Sequence, residues 1–517
     1  MSESLLNGIN LDKVLDRFNI FGRYHAISAV CITLSFIYNA IKVTNYIFVA
    51  EDIRYSSVLR CADINDTRGV AKESWNVSKV DDTTTLCGVA ETCTQWIYDN
   101  PDSFVAEFQL ACQDWKRTLV GTVHNFGYMI GLIIIGPLSD KFGRKPLAIL
   151  AGVTSGVCGL AKSFASTYWI YIVFEFLEAA FGEIHSPLFM LAIEMVSTKS
   201  RVKYTMICTL GFPIGGVLFP LIYWLISYWR TFLRVLYASG LLFILAFFFL
   251  DESPRWHLTK GHIEAAVKIL NKAAKINKVE IEESLEMLTY EKDDSSNFTT
   301  AITDTFKSRA LLKSCLACMV WWIVAVFANY GLSINSVSLN GDKYVNYALS
   351  AAVQVPSFVI TTCLMDKFNR KVVLMWSFVA CGVLCVSQPF IPNNLFWLSI
   401  LMYMMGKLIS CMFSEVIYFF TSELFPTYTR NSMHALCSSV GRIGGIAAPL
   451  TPLLMVYWPG LPTLLFGVAS LIGGLVTIIV PETGKKPLPD TVLQAEALSN
   501  TRQNDFEERQ TSSRIMD

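Results

Sequence analysis

Apolar runs of about twenty residues recur along the whole chain, and that spacing limits the fold more than any single motif. A helix rises about 1.5 Å per residue, so one such run covers the ~30 Å hydrocarbon core of a bilayer. Twelve spans are predicted, at 24–47, 118–138, 147–163, 168–193, 204–226, 231–250, 313–335, 346–364, 372–391, 395–420, 432–457 and 461–480. The third is short and the fourth carries charge. Of the 517 residues, 53% are hydrophobic and 16% charged, and the mean hydropathy is +0.43. These values fit an all-α, polytopic membrane protein and exclude a string of soluble domains. A net charge of zero gives no reason to expect nucleic acid as a partner; the bilayer is the expected one. No cleavable signal peptide is visible. Residues 1–23 are polar apart from a short amphipathic piece, "LDKVLDRF" (11–18), so the first span is expected to serve as a signal anchor.

Basic residues in the short loops set the orientation. The loops after spans two, four, eight and ten hold Lys141, Arg144, Lys145, Lys199, Arg201, Lys203, Lys367, Arg370, Lys371 and Arg430. The opposite short loops hold little beyond Lys162, Arg230 and Lys343. Both termini and the 251–312 loop are therefore expected in the cytoplasm, and the 48–117 loop outside. That outer loop carries Cys61, Cys87, Cys93 and Cys112, an even set on the oxidising side, with sequons at Asn65 and Asn76. Four cysteines allow three connectivities, and the sequence does not choose among them. A third sequon, at Asn297, falls on the cytoplasmic side and reads as chance.

Internal repetition organises the rest. Asp140-Lys141-Phe142-x-Arg144-Lys145 returns as Asp366-Lys367-Phe368-x-Arg370-Lys371, 226 residues later. Glu194 and Arg201 return 229 residues later as Glu423 and Arg430, and "IGGVLFP" (214–220) returns at the same offset as "IGGIAAP" (443–449). Glu252 is echoed by Glu482. The chain is thus expected as a cytoplasmic N-terminus (1–23), a six-helix bundle (24–250), a cytoplasmic helical loop (251–312), a second six-helix bundle (313–480) and a polar tail (481–517). Such a parallel duplication describes a rocking transporter. Exposed ion pairs are worth roughly 0–1 kcal/mol each, so a network of them biases a two-state equilibrium without locking it. Asp140, Arg144, Glu194 and Arg201, with Asp366, Arg370, Glu423 and Arg430, are assigned to a cytoplasmic gate of that kind. Topology signalling alone accounts for Lys141 and Lys145 but not for acids at fixed spacing in both halves.

"GPLSDKFGRK" (136–145) resembles the signature loop of the major facilitator superfamily. "DESPRW" (251–256), "SELFPTYTRN" (422–431), "SSVGRIGGIAAP" (438–449), "PETGKKPLPDT" (481–491) and "CTQWIYDNPDSFVAEFQLACQDWKR" (93–117) resemble its organic cation, anion and zwitterion (carnitine) transporter family. The resemblance spans most of the chain. It implies twelve transmembrane helices in a 6+6 pseudo-two-fold repeat around a central cavity, alternating access, a plasma-membrane location and a glycosylated ectodomain. Two positions depart from the pattern. Gln354 stands where cation-handling relatives usually carry an acid. "FEFLEAA" (174–180) has carboxylates where the superfamily expects an arginine.

Ionisable side chains inside a membrane are expensive, several kcal/mol at mid-bilayer on insertion scales, and each calls for a partner or a purpose. The candidates are Glu175, Glu178, Glu183, Lys407, Glu415 and Arg442. Glu178 plus 229 is 407, so an acid and a base hold equivalent positions in the two halves. One reading pairs Glu178 with Lys407, or with another helix's base, as a structural bridge. The other gives the carboxylate and the two bases to a substrate bearing both an ammonium and a carboxylate. The resemblance weights Arg442, since cation-handling members carry an acid there and anion- or zwitterion-handling members an arginine. A guanidinium fork fits a carboxylate at two points. Trp321, Trp322, Tyr330, Tyr223 and Trp224 are candidate stacking groups, and the family pattern favours Trp322 and Asn329, with Gln354, as site members.

The middle loop's "GHIEAAVKILNKAAKIN" (261–277) reads as an amphipathic surface helix with Ile263, Val267, Leu270 and Ala274 on one stripe. Enzyme function finds little support: the six histidines are scattered, and no metal-spaced cluster or phosphate loop appears, so neither cofactor nor metal is expected. Transport then draws on the substrate gradient, a coupled ion (Na+ or H+, left open) or the membrane potential, worth ~2.3 kcal/mol per charge per 100 mV. The alternatives are a strict organic cation uniporter, a sugar-porter-like facilitator, and a receptor or channel without transport.

Overall fold

The computed structural model describes residues 9–51, 59–61, 96–98, 100–280, 288–289 and 307–482. Asn65, Asn76, Cys87, Cys93, Asn297 and the tail beyond 482 lie outside them. Contacts divide the chain into two compact units. One comprises Met1–Asn76, Cys93–Ala111 and Val123–Lys292; the other includes Cys112–Thr122 and Asp293–Asp517.

In the first unit the helices are α1 (Leu11–Asp16), α2 (Arg23–Thr44), α3 (Asp114–Phe142, counted from Val123), α4 (Arg144–Ser163), α5 (Tyr168–Phe181), α6 (His185–Glu194), α7 (Arg201–Thr209), α8 (Gly211–Leu225), α9 (Trp229–Leu241), α10 (Pro254–Thr259) and α11 (Ile263–Asn277). The second holds α12 (Arg309–Asn335), α13 (Lys343–Ala352), α14 (Gln354–Lys367), α15 (Arg370–Ser387), α16 (Phe396–Leu424), α17 (Thr427–Ala447) and α18 (Leu461–Thr477). Ten helical segments among the described residues are long and apolar enough to cross a membrane. Ten of the twelve expected spans match them. The sixth breaks into α9, a 3-10 turn at Leu242–Leu245 and a short helix at Ala246–Phe249, and the twelfth is the 17-residue α18. The β structure is confined to two short ladders, Ile9–Asn10 parallel with Leu288–Thr289 and Leu59–Cys61 antiparallel with Trp96–Tyr98.

The repeated "IGG" has a packing cause. A Cβ on Gly215 of α8 would sit 2.6 Å from the Ile37 carbonyl of α2, and one on Gly444 of α17 would sit 2.2 Å from the Ile323 carbonyl of α12. Lipid offers no hydrophobic drive between helices, so close backbone approach over small residues is how such pairs gain van der Waals contact. The same residue type at the same offset therefore serves the same helix–helix contact in each unit. In the second unit, Trp321 stacks on Phe420 (5.4 Å) and Phe378 on Phe413 (4.5 Å) inside an enclosed core.

Hydrogen-bonding side chains define several helix starts. Thr167 accepts from the Ile170 amide ahead of α5, Ser308 from Leu311 ahead of α12, and Asp342 from Val345 ahead of α13. Two bases that the sequence places in short loops are structural instead. Lys162 lies fully buried in the last turn of α4. Arg230, buried at the start of α9, donates to Glu107 (2.6 Å) and to the carbonyls of Ser163 (2.7 Å) and Ala165 (2.8 Å). Trp229 donates to the other Glu107 oxygen at 2.9 Å, so this acid ties the segment before α3 to α9. Cys112 is disulfide-bonded.

α1 docks through Leu11, Val14 and Leu15, and Phe18 just after it, all buried. Asp12 accepts from the Thr198 amide (3.1 Å) and hydroxyl (3.0 Å) and from Arg255 (2.7 Å), and Asp16 pairs with Lys199 at 2.8 Å. α11 packs on the same end of the unit, but its buried stripe is Ala266, Leu270, Ala273 and Ala274, while Ile263 is exposed. The stripe is turned by about one residue from expectation. Leu270 and Ala273 line a small cavity with Leu15, Phe18 and Tyr24, so the docking partner, not the helix's own most apolar face, sets its rotation.

Partial burial pushes the Asp12 carboxyl up, but the Arg255 guanidinium and the Thr198 groups outweigh it and hold it below the usual carboxylate range. A depressed folded value means the clasp contributes fully at neutral pH and is lost only as pH falls through that value. Asp12 is 36% exposed, and solvent screening limits the contribution to roughly 1 kcal/mol. Asp12→Asn is expected to lower the melting temperature of the detergent-purified chain by a few degrees at pH 7. The two proteins should converge as pH falls through that depressed value, where the wild-type carboxyl becomes protonated.

Candidate functional site

Two groups of the expected gate residues form inside their own units. Arg144 pairs with Asp140 one turn earlier and with Glu194 at 3.1 Å. Arg370 pairs with Glu423 at 3.2 Å and donates to the Met365 carbonyl at 2.7 Å. Asp366 is exposed, as Asp140 is, but among the described residues it forms no ion pair with Arg370 to match that of Asp140 with Arg144. Arg201 is half-buried; the side chain of Arg430 lies outside the described set. Glu252 joins the first group, accepting from the Lys145 amide (3.1 Å) and its neighbour Ser253 (2.8 Å). Burial pushes its carboxyl up against the pull of those amides. Only its place in "DESPR" hints at this role.

The largest concentration of buried charge lies in the first unit. Glu175 accepts from Lys162 Nζ (2.7 Å) and contacts His124 Nδ1 (2.7 Å), and Glu178 lies 3.5 Å from Lys162 and 3.7 Å from Lys42. None of the five side chains is exposed. Ser155 donates to Glu178 at 3.0 Å and meets the Tyr38 hydroxyl at 3.1 Å; Lys162 also donates to Tyr237 at 2.8 Å. A break between α5 and α6 adds two more groups. Lys42 donates to the Gly182 carbonyl (2.5 Å) at the end of α5, while Glu183 accepts from the Ser186 amide (3.0 Å) in the first turn of α6. Each charge thus meets the helix end of opposite polarity.

His124, Glu175 and Glu178 bring ligand-type atoms within 4.8 Å of one another, a spatial cluster that scattered positions in the sequence conceal. A metal does not fit it, because the Lys162 ammonium already sits against both carboxylates. Sequence reasoning singled out Glu175, Glu178 and Glu183 but missed Lys42, Lys162 and His124. Lys42 carried the available signal, as a lysine inside an apolar span.

In the second unit Lys407 is enclosed, donating to Asn329 Oδ1 (2.6 Å), the Asn329 carbonyl (2.8 Å) and Ser333 Oγ (2.8 Å). Glu178 and Lys407, equivalent by offset, are each partnered inside their own unit, Glu178 through another helix's bases. Beyond Asn329 runs a half-buried polar and aromatic strip. Trp322 donates to Thr421 (3.2 Å) and lies edge-on to His434 (5.3 Å); eight residues on along each helix, Tyr330 accepts from Arg442 at 3.5 Å. Tyr418 packs on His434 at 4.5 Å. Gln354 opens α14, half-buried and neutral. Glu415 is half-buried near Ser357 (3.4 Å). Of the other aromatics, Trp321 and Tyr223 are core packing and Trp224 is 58% exposed on an outer helix face. His434 and Tyr418 escaped the sequence reading because neither position is charged and aromatics are everywhere.

This fold defines a class. The chain superposes with a TM-score of 0.60 on the inward-open xylose transporter XylE from E. coli, at 15% identity, covering 91% of this chain and 99% of that one. The fold is that of the major facilitator transporters. The sugar (and other) transporter family model matches residues 74–491, and the chain belongs to that family of membrane transporters, which are not enzymes. It is 30% identical over 423 residues to the organic cation transporter protein of Drosophila melanogaster, covering 78% of this chain and 77% of the relative. It is also 30% identical to solute carrier family 22 member 1 of Bos taurus (78% and 73%) and to member 6-A of Xenopus laevis (78% and 75%).

Proposed function

We propose that this protein is an alternating-access secondary transporter of small organic ions at the plasma membrane, with both termini cytoplasmic and an anionic or zwitterionic substrate. The names of its relatives support organic ions as the class. One observation carries the charge preference: the Arg442 guanidinium is half-buried beside the Tyr330 hydroxyl, on the strip that also holds Trp322, Asn329 and His434. A guanidinium in that setting receives a carboxylate by paired charge-assisted hydrogen bonds. Trp322 and Tyr330 supply apolar and π surface for the rest of the molecule. Lys407 acts from behind, fixing Asn329 through two hydrogen bonds. The Arg144 and Arg370 groups serve as the gate at the helix ends.

Uptake of labelled carnitine, a small quaternary cation and an aromatic organic anion, measured side by side in cells, tests this reading. Carnitine or anion uptake above vector is expected, falling at least tenfold in Arg442→Asp at matched surface expression, the loss of about 1.4 kcal/mol or more of binding. Cation uptake alone, unchanged by the substitution, sinks the assignment.

A further inference from the structure

The turn between α10 and α11 brings together two side chains that no regular helix would make neighbours. His257 and His262 stand five apart, whereas residues that meet on one helix face are three or four apart. That spacing hid the pair in the sequence. Lys260 ends α10, and Gly261 then takes the left-handed backbone at φ 76°, which a residue without Cβ adopts at no steric cost. The Gly261 amide donates to the Leu258 carbonyl (3.0 Å) and the His262 amide to the His257 carbonyl (2.8 Å). Those two bonds make a Schellman closure, which sets the side chain after the glycine against the one three positions before the cap. The two imidazole rings accordingly lie 6.0 Å apart between centroids, tilted by 53°.

An apolar pair usually fills these two positions, and packing asks for nothing more. Here both are imidazoles. Neither ring makes a hydrogen bond or an ion pair with the described residues, and His257 Nδ1 is buried without a partner. Native structures seldom leave a buried ring nitrogen unpaired. Trp256 packs against both rings, at 5.1 Å from His257 and 6.4 Å from His262. His257 is half-buried and His262 exposed, so the pair is open to water on the His262 side. Burial first, and then His262 beside it, hold the His257 imidazole below its ordinary range, so it is neutral at pH 7. A neutral imidazole with a free ring nitrogen is the commonest metal ligand among side chains.

Distance decides whether one ion can take both rings. A zinc–imidazole bond is about 2.0–2.1 Å long, which puts each ring centroid about 3.2 Å from the ion. Two such centroids are then about 5.2 Å apart at a tetrahedral angle and about 6.4 Å apart at a straight one. The observed 6.0 Å lies between these limits, and the exposed His262 closes the difference by a small side-chain rotation. We infer that His257 and His262 together bind one divalent transition-metal ion of the zinc, nickel and copper class, with water completing the coordination. Such metals favour imidazole, whereas magnesium and calcium favour oxygen. A bound ion ties the last turn of α10 to the start of α11. It acts next to Trp256, whose indole donates to the Asp140 carbonyl at 3.0 Å, and Asp140 pairs with Arg144. The ion therefore braces α10 against the helix end that carries the Arg144 group.

The test is calorimetric titration of the full chain, purified in detergent without a polyhistidine tag, with zinc, nickel or magnesium chloride at about pH 7.5. One zinc or nickel ion per chain is expected, and no binding of magnesium. His257→Gln and His262→Gln should each weaken zinc binding at least tenfold. His185→Gln, which removes an imidazole from the start of α6, should leave it within about twofold. Protons compete for imidazole, so zinc binding should weaken at least tenfold between about pH 7.5 and pH 5. The double variant His257→Leu/His262→Leu returns an apolar pair to the closure and guards against misfolding. It should melt with the metal-free wild type, while saturating zinc raises the melting temperature of the wild type alone, by about 2 °C or more. A wild type that binds neither zinc nor nickel overturns the inference. So does zinc binding that survives in the double variant, or that His185→Gln weakens as much as His257→Gln does. None of these readings involves a transported substrate, so the proposed function stands or falls separately.

Discussion

Lys162→Met should cost this protein about 3–5 kcal/mol, the penalty for stripping one partner from a buried ion pair. The substitution preserves the stem of the side chain and removes only the ammonium, which lies 2.7 Å from Glu175 and 3.5 Å from Glu178. Lys42 remains, but it stands 3.7 Å from Glu178 and is already bonded to the Gly182 carbonyl. The excess negative charge then has no base within reach on the Glu175 side beyond His124. The melting temperature of the purified chain should fall by roughly 6–20 °C, taking 2–4 °C per kcal/mol for a unit of this size, with a matching loss of mature protein in cells. The double variant Lys162→Met/Glu175→Gln removes one charge of each sign and should recover most of the loss. A single variant as stable as wild type, or a double variant no more stable than the single one, means the pair is not buried as described.

Gly444→Leu is the second large expected effect, and it acts through shape. The added Cβ meets the Ile323 carbonyl at 2.2 Å, the Phe327 amide nitrogen at 2.8 Å and Phe327 Cβ at 3.0 Å. Two of those three atoms are backbone, so no rotamer change relieves the clash, and α17 must part from α12. Overpacking of this kind costs about 1–3 kcal/mol, and more where backbone must move. Little mature transporter should remain. Gly136→Leu is the control, because a Cβ there meets nothing within 4 Å; it should melt within a degree or two of wild type. Equal melting of both variants refutes the close approach. Parting these helices also separates Tyr330 from Arg442, so any surviving Gly444→Leu protein should transport poorly.

Membrane class, duplication and helix positions were legible because bilayer thickness writes itself into the chain as run length, and a repeated contact writes itself as a repeated glycine. The charged positions were equally visible, since an acid in an apolar run stands out by composition alone. Their partners were not. The offset of 229 pairs Glu178 with Lys407 in the sequence, yet each satisfies its charge inside its own unit, against Lys42 and Lys162 in one case and against Asn329 and Ser333 in the other. Lys162 reads as a loop base by its place at the end of a short span, and only the packing of α4 on α5 reveals it as the counter-charge of Glu175. The rotation of α11 was likewise settled by the surface it docks on and not by its own pattern. Sequence alone thus determined which residues are expensive to bury and how often the chain crosses the membrane, because both are one-dimensional costs paid residue by residue. Tertiary structure alone decided which buried charges meet, because a pair such as Lys42 and Glu178, 136 residues apart, is chosen by the three-dimensional path of two helices.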